Sequence, residues 1–332
     1  MRKHIYNSFI ASVLLATFTA CGSDGEESTT TAPSPINKIT FSGVAIDGYI
    51  RNASVCLDTN INGTCDAGEP TTETHLDGTF TFNDVEVDDD MLMPIIVTGG
   101  YDTATGKVFT GILRNIVNTK DIKSASALTI TPLSDLAAIS FLASPDKSKT
   151  ALETIKSNTA SSLGLSVTQF DSDPMQDKEV FAKVQEVQQI KELLLTSAGK
   201  ATGIADGSNA EDSLEVNIVK AIASSMQSGS TLTPIDAITK LEELDTTVTI
   251  PANEKEFISS QVTEIKNALE SMVIDSSVNI SDLNQEQSNL EEVVATASSN
   301  IENATSTSTI VVVTDSTPLV TSIPTPPTPP TL

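Results

Sequence analysis

Asp58 to Glu69 reads D-T-N-I-N-G-T-C-D-A-G-E, with oxygen-bearing side chains at positions 1, 3, 5, 9 and 12 of a twelve-residue loop and Gly63 at position 6. That is the spacing that wraps a calcium ion. Asp58, Asn60 and Asn62 alternate, so their oxygens converge as the chain curls round one point. Gly63 permits the sharp turn, and Thr64 offers its backbone carbonyl. Asp66 binds directly or through water, and Glu69 can close the shell with two oxygens. Three carboxylates and two amides imply an affinity on the order of 10⁻⁴ to 10⁻³ M. The open alternative is a solvated Asn/Gly/Asp turn that holds no ion.

The loop departs from the helix–loop–helix form. A strand-like run, Ala53 to Leu57, precedes it and Pro70 follows it, so Ca²⁺ would staple a β-turn rather than open a helix pair. Position 8 is Cys65, where an apolar residue is usual. The chain has three cysteines. Leaving Cys21 aside, Cys56 and Cys65 remain as an even pair. Two thiols and the lone histidine downstream of the leader, His75, make a poor metal cage, so the pair is expected as a disulfide. The bridge would pin the start of the loop to its middle and reduce the entropy lost on binding.

Residues 1–20 read as an export signal. Arg2, Lys3 and His4 are basic, Phe9 to Phe18 is a short apolar core, and Thr19 and Ala20 lead into Cys21 and Gly22. Such a run cannot span about 30 Å of hydrocarbon as a permanent helix. A cysteine just past small residues resembles the lipobox of bacterial lipoproteins, although Phe18 stands where that motif prefers Leu. The resemblance implies that Cys21 becomes the diacylated first residue, with the membrane reached through that lipid. Gly22 rather than Asp after it favours the outer membrane under the enteric sorting rule. Cleavage would remove Arg2 and Lys3, moving the formal charge from 19 − 44 = −25 to 17 − 44 = −27. A chain this acidic repels nucleic acid and anionic membrane surfaces and favours divalent cations and basic partners.

The remaining chain divides by pattern. Residues 21–36 are a Ser/Thr/Glu/Pro tether. Residues 37–131 read as a small antiparallel β-sandwich built from short runs: Ile39 to Ile46, Ser54 to Leu57, Thr79 to Phe82, Leu92 to Val97 containing Pro94, and Val108 to Leu113. Residues 132–303 read as an all-α helical bundle, giving an α+β chain. Thr131-Pro132, Thr233-Pro234 and Asp173-Pro174 are helix starts, the last with Gln176 completing a capping box. Val180, Val184, Val187, Ile190, Leu194 and Ala198 keep helical spacing up to Gly199, the expected stop. Further stripes run through Leu214 to Ile222, Ile258 to Met272 and Leu290 to Ile301. Residues 304–332 form a Thr/Pro-rich tail expected to be mostly disordered, with one apolar patch at Ile310 to Val313 suited to an edge strand.

The stretch G-V-A-I-D-G-Y-I-R-N-A-S-V-C-L-D-T-N-I-N-G-T-C-D-A-G-E-P, followed by T-H-L-D-G-T-F-T-F, resembles the calcium-binding, prealbumin-like repeats of bacterial surface proteins. It is similar to the B-type repeats of Gram-positive adhesins and to β-modules of Gram-negative lipoproteins. V-T-G-G-Y-D-T-A-T-G-K-V-F-T-G and I-T-P-L-S-D-L are similar to segments trailing such modules. The match covers about 50 of the 332 residues. It implies a β-sandwich whose calcium loop uses Asp58, Asn60, Asn62, Asp66 and Glu69.

Other chemistry is sparse. Asp88, Asp89 and Asp90 read as a solvated acidic loop, and Asp102 to Gly106 as a hairpin turn. His75 would have to serve any Ser–His–Asp chemistry, and no nucleophile elbow or glycine-rich phosphate loop stands near it. Trp is absent and aromatics are 4% of the chain, which argues against a stacked-ring carbohydrate cleft. The sequence therefore points to a non-catalytic, lipid-anchored surface lipoprotein for adhesion or envelope scaffolding, with a protein partner in the envelope or on another surface. The alternatives are a periplasm-facing accessory subunit of an envelope complex and, further off, a hydrolase.

Overall fold

Alternating apolar residues set the strand half. In β1 (Asn37–Ala45), Ile39, Phe41 and Ala45 are buried while Lys38, Thr40 and Ser42 face solvent, the period-two pattern of a sheet with one wet face. The structure is a computed structural model and describes residues 37–88, 90–122, 128–204, 209–226, 230–305 and 307–313. The export signal, Cys21, the tether, Asp89 and the tail beyond 313 lie outside the described residues.

β1 pairs antiparallel with β5 (Thr79–Val87) and parallel with β9 (Leu128–Ile130). The second sheet has the order β4 (Thr71–Glu73), β3 (Ser54–Leu57), β6 (Leu92–Thr98), β8 (Ile112–Asn118), all antiparallel. A short ladder joins β2 (Ile50–Arg51) to β7 (Tyr101–Asp102). The inner faces share one apolar core that includes Phe41, Phe80, Phe82, Val55, Ile95 and Val97. Gly43 makes room for it, because a Cβ there would sit 2.5 Å from the Phe80 ring. The parallel β1–β9 pair departs from an all-antiparallel sandwich. It arises because the chain leaves β8 at the edge of one sheet and returns beside β1 in the other.

One strand differs from its sequence reading. Val108 makes only an isolated bridge to Tyr101 and Phe109 N–H donates to the Gly100 carbonyl, and the regular strand runs from Ile112 to Asn118 instead. Its interior holds Arg114 and Asn115, whose polarity hid it. Asn115 donates to the Thr129 carbonyl at 2.8 Å, and Arg114 reaches Asp135 at 2.9 Å with both side chains about 5% exposed.

The helices follow their caps. Thr131 caps α1 (Pro132–Ala143) through a reciprocal pair with Ser134, and Thr233 caps α6 (Pro234–Leu244). Between them lie α2 (Lys149–Ser162), α3 (Val167–Phe170), α4 (Lys178–Thr202) and α5 (Asn209–Ser225); α7 (Ala252–Ile274) and α8 (Leu283–Asn303) complete the set. Asp173 caps only a 3₁₀ turn, Pro174–Gln176, and the long helix α4 starts afresh from Asp177. Gly199 does not stop α4. The helix continues to Thr202 and ends where Gly203 takes the left-handed conformation, φ +71°, which a glycine adopts without penalty. The apolar stripes of α4, α5, α7 and α8 meet in a single core. No helix among the described residues is long and apolar enough to cross a membrane.

The described residues pack as one compact unit. Ile46, from the turn after β1, is fully buried in the core formed by the helices. α1 packs along β8, with Ser134 donating to the Arg114 carbonyl at 2.7 Å. Ile310, Val312 and Val313 pack against the helices, and Val313 pairs both its N–H and its carbonyl with the Gln261 side-chain amide, at 2.7 and 3.1 Å. The apolar patch of the tail is thus matched by an amide on α7 and forms no edge strand.

Burial raises the Asp135 carboxyl above its ordinary range even with Arg114 beside it. Truncating the cation leaves a buried acid uncompensated. Arg114→Ala should therefore lower unfolding free energy by about 3–5 kcal/mol in urea titration, whereas Arg114→Met with Asp135→Leu should recover most of the loss. Equal losses in the single and double variants would contradict this.

Candidate functional site

The twelve-residue loop hangs from two strands. Leu57 N–H donates to the Pro70 carbonyl and Asp58 N–H to the Pro94 carbonyl, both at 2.9 Å, so the ends of the loop are fixed by β3 and β6. Cys56 and Cys65 are disulfide-bonded. Closing a loop this short removes about 2–3 kcal/mol of freedom from the unfolded chain.

Inside the loop the side chains bond to one another and to the loop's own backbone N–H groups. Asp58, fully buried, accepts from Asn62 N–H at 3.2 Å and Gly63 N–H at 2.7 Å through its two oxygens. Asn60 Oδ1 accepts from the same Asn62 N–H at 3.0 Å, and Asn62 Oδ1 accepts from Thr64 N–H at 2.8 Å. Asp66 receives both amide groups, from Asn60 at 2.8 Å and Asn62 at 2.7 Å. Glu69 closes the ring, accepting from Thr59 N–H at 2.7 Å and Asp66 N–H at 2.9 Å. The turn is strained: Ile61, β-branched, has φ +60°, and Gly63 has φ +86°. Burial raises the Asp58 carboxyl, partly offset by the N–H groups it holds, and the two amides lower that of Asp66.

These donors fit a hard cation. All are oxygens, which suits calcium and excludes a soft thiolate or imidazole site. No group of three or more His, Cys, Asp or Glu side chains is gathered as a metal site among the described residues. The loop's set is mixed, with two amides and the Thr64 carbonyl among its six positions. Here N–H dipoles supply the positive charge that the carboxylates require. An ion would draw Glu69 off the N–H groups of residues 59 and 66.

A second polar constellation lies where the strand half meets the helices. The turn after β1 carries Asp47, and β7 ends in Asp102, 5% exposed. Gln188 of α4 donates to Asp47 Oδ2 at 2.7 Å. Gln287 of α8 donates to Asp102 Oδ2 at 2.8 Å and also to the Asp47 carbonyl. Ala104 N–H and Thr105 Oγ1 complete the Asp102 shell at 2.7 and 3.1 Å. Gly48, φ +98°, permits this approach, since a Cβ would lie 2.8 Å from Gln287 Oε1 and would collide with the Asp102 carboxylate. Beneath them Lys191 of α4 pairs with Glu215 of α5 at 2.8 Å. Burial pushes the Asp47 carboxyl up to about 7 against Lys191 and Gln188, which lower it. Burial and the nearby Asp47 charge push Asp102 to about 7 as well. Lys191 is disfavoured as an ion by burial, but Glu215, Glu192 and Asp47 hold it above the ordinary lysine range.

The structure thus gathers Asp58, Asn60, Asn62, Thr64, Asp66 and Glu69 into one turn. It sets His75 apart, exposed before β5. The carboxylate seam escapes sequence reasoning, in which Asp102 reads as a plain turn residue and Asp47 carries no role. One signal is present: Gln185, Gln188 and Gln189 put three neutral amides at helical spacing on α4, a polar stripe without charge on a helix with a buried face. Comparison with protein-family models, curated proteins and solved structures finds no match.

Raised carboxyls give a signed pH dependence. Between an unfolded value near 3.8 and a folded value near 7, the native state holds protons that the unfolded chain releases. Stability should therefore rise as pH falls from 8 to about 5.5, with Glu286, also near 7 through burial, acting in the same direction. Melting temperature measured across that window should climb in the native chain and climb less steeply in Asp102→Asn, where Asp47 and Glu286 remain. A melting temperature that falls on acidification would refute the raised values.

Proposed function

We propose that this chain is a non-catalytic bacterial lipoprotein. It is exported, held at the outer membrane by an acylated Cys21, and presents a calcium-stabilised strand half for adhesion or envelope scaffolding. The observation that carries this reading is the presence of Asp58, Asn60, Asn62, Asp66 and Glu69 in one strained, hydrogen-bonded turn closed by the Cys56–Cys65 bond. A disulfide suits an oxidising compartment beyond the cytoplasm. An acidic chain with an oxygen-lined turn suits an environment where calcium is millimolar, the range of affinity that such a mixed donor set supports.

Calcium bound only to the native state stabilises by RT ln(1 + [Ca²⁺]/Kd), about 1.4 kcal/mol at tenfold excess. In a unit this large that raises the melting temperature by about 2–4 °C. Calorimetry in millimolar calcium against chelator should show that increment, with magnesium giving much less. Asp58→Ala with Glu69→Ala should abolish it. Identical melting in calcium and chelator would reduce the loop to a disulfide-closed turn.

The anchor has its own test. Two acyl chains hold a protein stably in a bilayer because each buried methylene contributes about 0.8 kcal/mol. Cys21→Ser should move the protein from the membrane fraction to the soluble fraction. Unchanged partitioning would overturn the lipoprotein reading while leaving the calcium loop intact.

A further inference from the structure

A cavity of about 770 Å³ opens at the seam between the strand-side loops and helices α4, α5 and α8. Its wall carries five carboxyl side chains: Asp47, Asp102, Glu192, Glu215 and Glu291. Against them stand two ammonium groups, each already engaged, Lys191 by Glu215 at 2.8 Å and Lys107 by Glu291 at 2.6 Å. Among the described residues no cation lies within ion-pair distance of Asp47 or Asp102, and Glu192 has only Lys191 at 3.6 Å. Positive charge is in deficit here.

Hydrogen-bond donors are in deficit too. Gln189 and Gln287 line the cavity, each is 3% exposed, and each leaves its Oε1 without a hydrogen-bond partner. A buried acceptor left unmet destabilises the fold until a donor reaches it. Val108, Leu195 and Val294 add an apolar strip to a wall that also carries threonine, glutamine and serine side chains. The volume falls in the range of small-molecule sites and far exceeds what a single ion fills.

We propose that this cleft binds a small aliphatic di- or polyamine. Its ammonium groups would meet Asp47, Asp102 and Glu192, and its remaining N–H groups the Oε1 atoms of Gln189 and Gln287. The methylene stem would run along Val108, Leu195 and Val294. The site is separate from the calcium loop and independent of how the chain is anchored.

Titration calorimetry of the full chain with spermidine at about 0.15 M salt, where surface charge is screened beyond about 8 Å, tests this. The expected result is one saturable site with a dissociation constant below about 1 mM. Asp102→Asn should weaken binding at least tenfold, and Asp58→Ala should leave it unchanged. Ala295→Arg, at an exposed position of α8 lining the cavity, should place a guanidinium in the cleft and also weaken binding tenfold. That variant removes no buried contact, so it serves where Asp102→Asn fails to fold. Absence of saturation would overturn the proposal, as would affinity indifferent to Ala295→Arg, the mark of diffuse attraction to a chain of net charge −25. A doubly capped lysine amide binding as tightly as spermidine would also overturn it, assigning the cleft to a basic side chain of a partner protein.

Discussion

A carboxylate taken out of water must find donors. Asp135, Glu186, Glu215 and Glu254 find them in arginine or lysine, whereas Asp58, Asp47 and Asp102 find them in neutral groups. Asp58 is held by two backbone N–H groups. Asp102 is held by a backbone N–H, a threonine hydroxyl and a glutamine amide, and Asp47 by another glutamine. Dipoles satisfy hydrogen-bonding capacity without cancelling charge. Both sites therefore keep negative charge that no cation among the described residues cancels within ion-pair distance; on the proposed readings calcium would meet it at the turn and an amine at the seam.

The same groups join the two halves of the chain. Gln287 bridges the Asp47 carbonyl and the Asp102 carboxylate from α8, and Tyr49 donates to Asp173 at 2.9 Å ahead of α4. Ile46 is buried among the helices, and Arg114 of β8 pairs with Asp135 of α1. The loop from Asp58 to Glu69 touches this system directly: Gly63 lies beside Leu142 near the end of α1, where a Cβ would come within 3.4 Å. Secondary structure changes character at Thr131 and Pro132, but packing runs across that point without a break.

Much of this is legible in the sequence wherever one residue type has one local job. Thr131 and Thr233 each cap a helix, the calcium-type spacing folds into one turn, and Cys56 and Cys65 are bonded, whereas Asp173 caps only a 3₁₀ turn without a capping box from Gln176. Legibility fails where tertiary partners decide. Gly199 reads as a stop, yet its helix is carried on by packing to Gly203. Arg114 and Asn115 disguise β8 because their partners are far along the chain. Asp47 and Asp102, 55 positions apart, show their chemistry only when α4 and α8 close over them.

If the seam makes strands and helices one cooperative body, calcium bound at an outlying turn must be felt inside the helices. Native-state hydrogen exchange, read in calcium and in chelator, tests this most directly. Amides of β3, β6, α1 and α4 should exchange through a common opening, and calcium should raise their opening free energies by the same increment, about 1.4 kcal/mol at tenfold excess. Calcium-induced protection confined to β3 and β6, with α1 and α4 unchanged, would contradict the account.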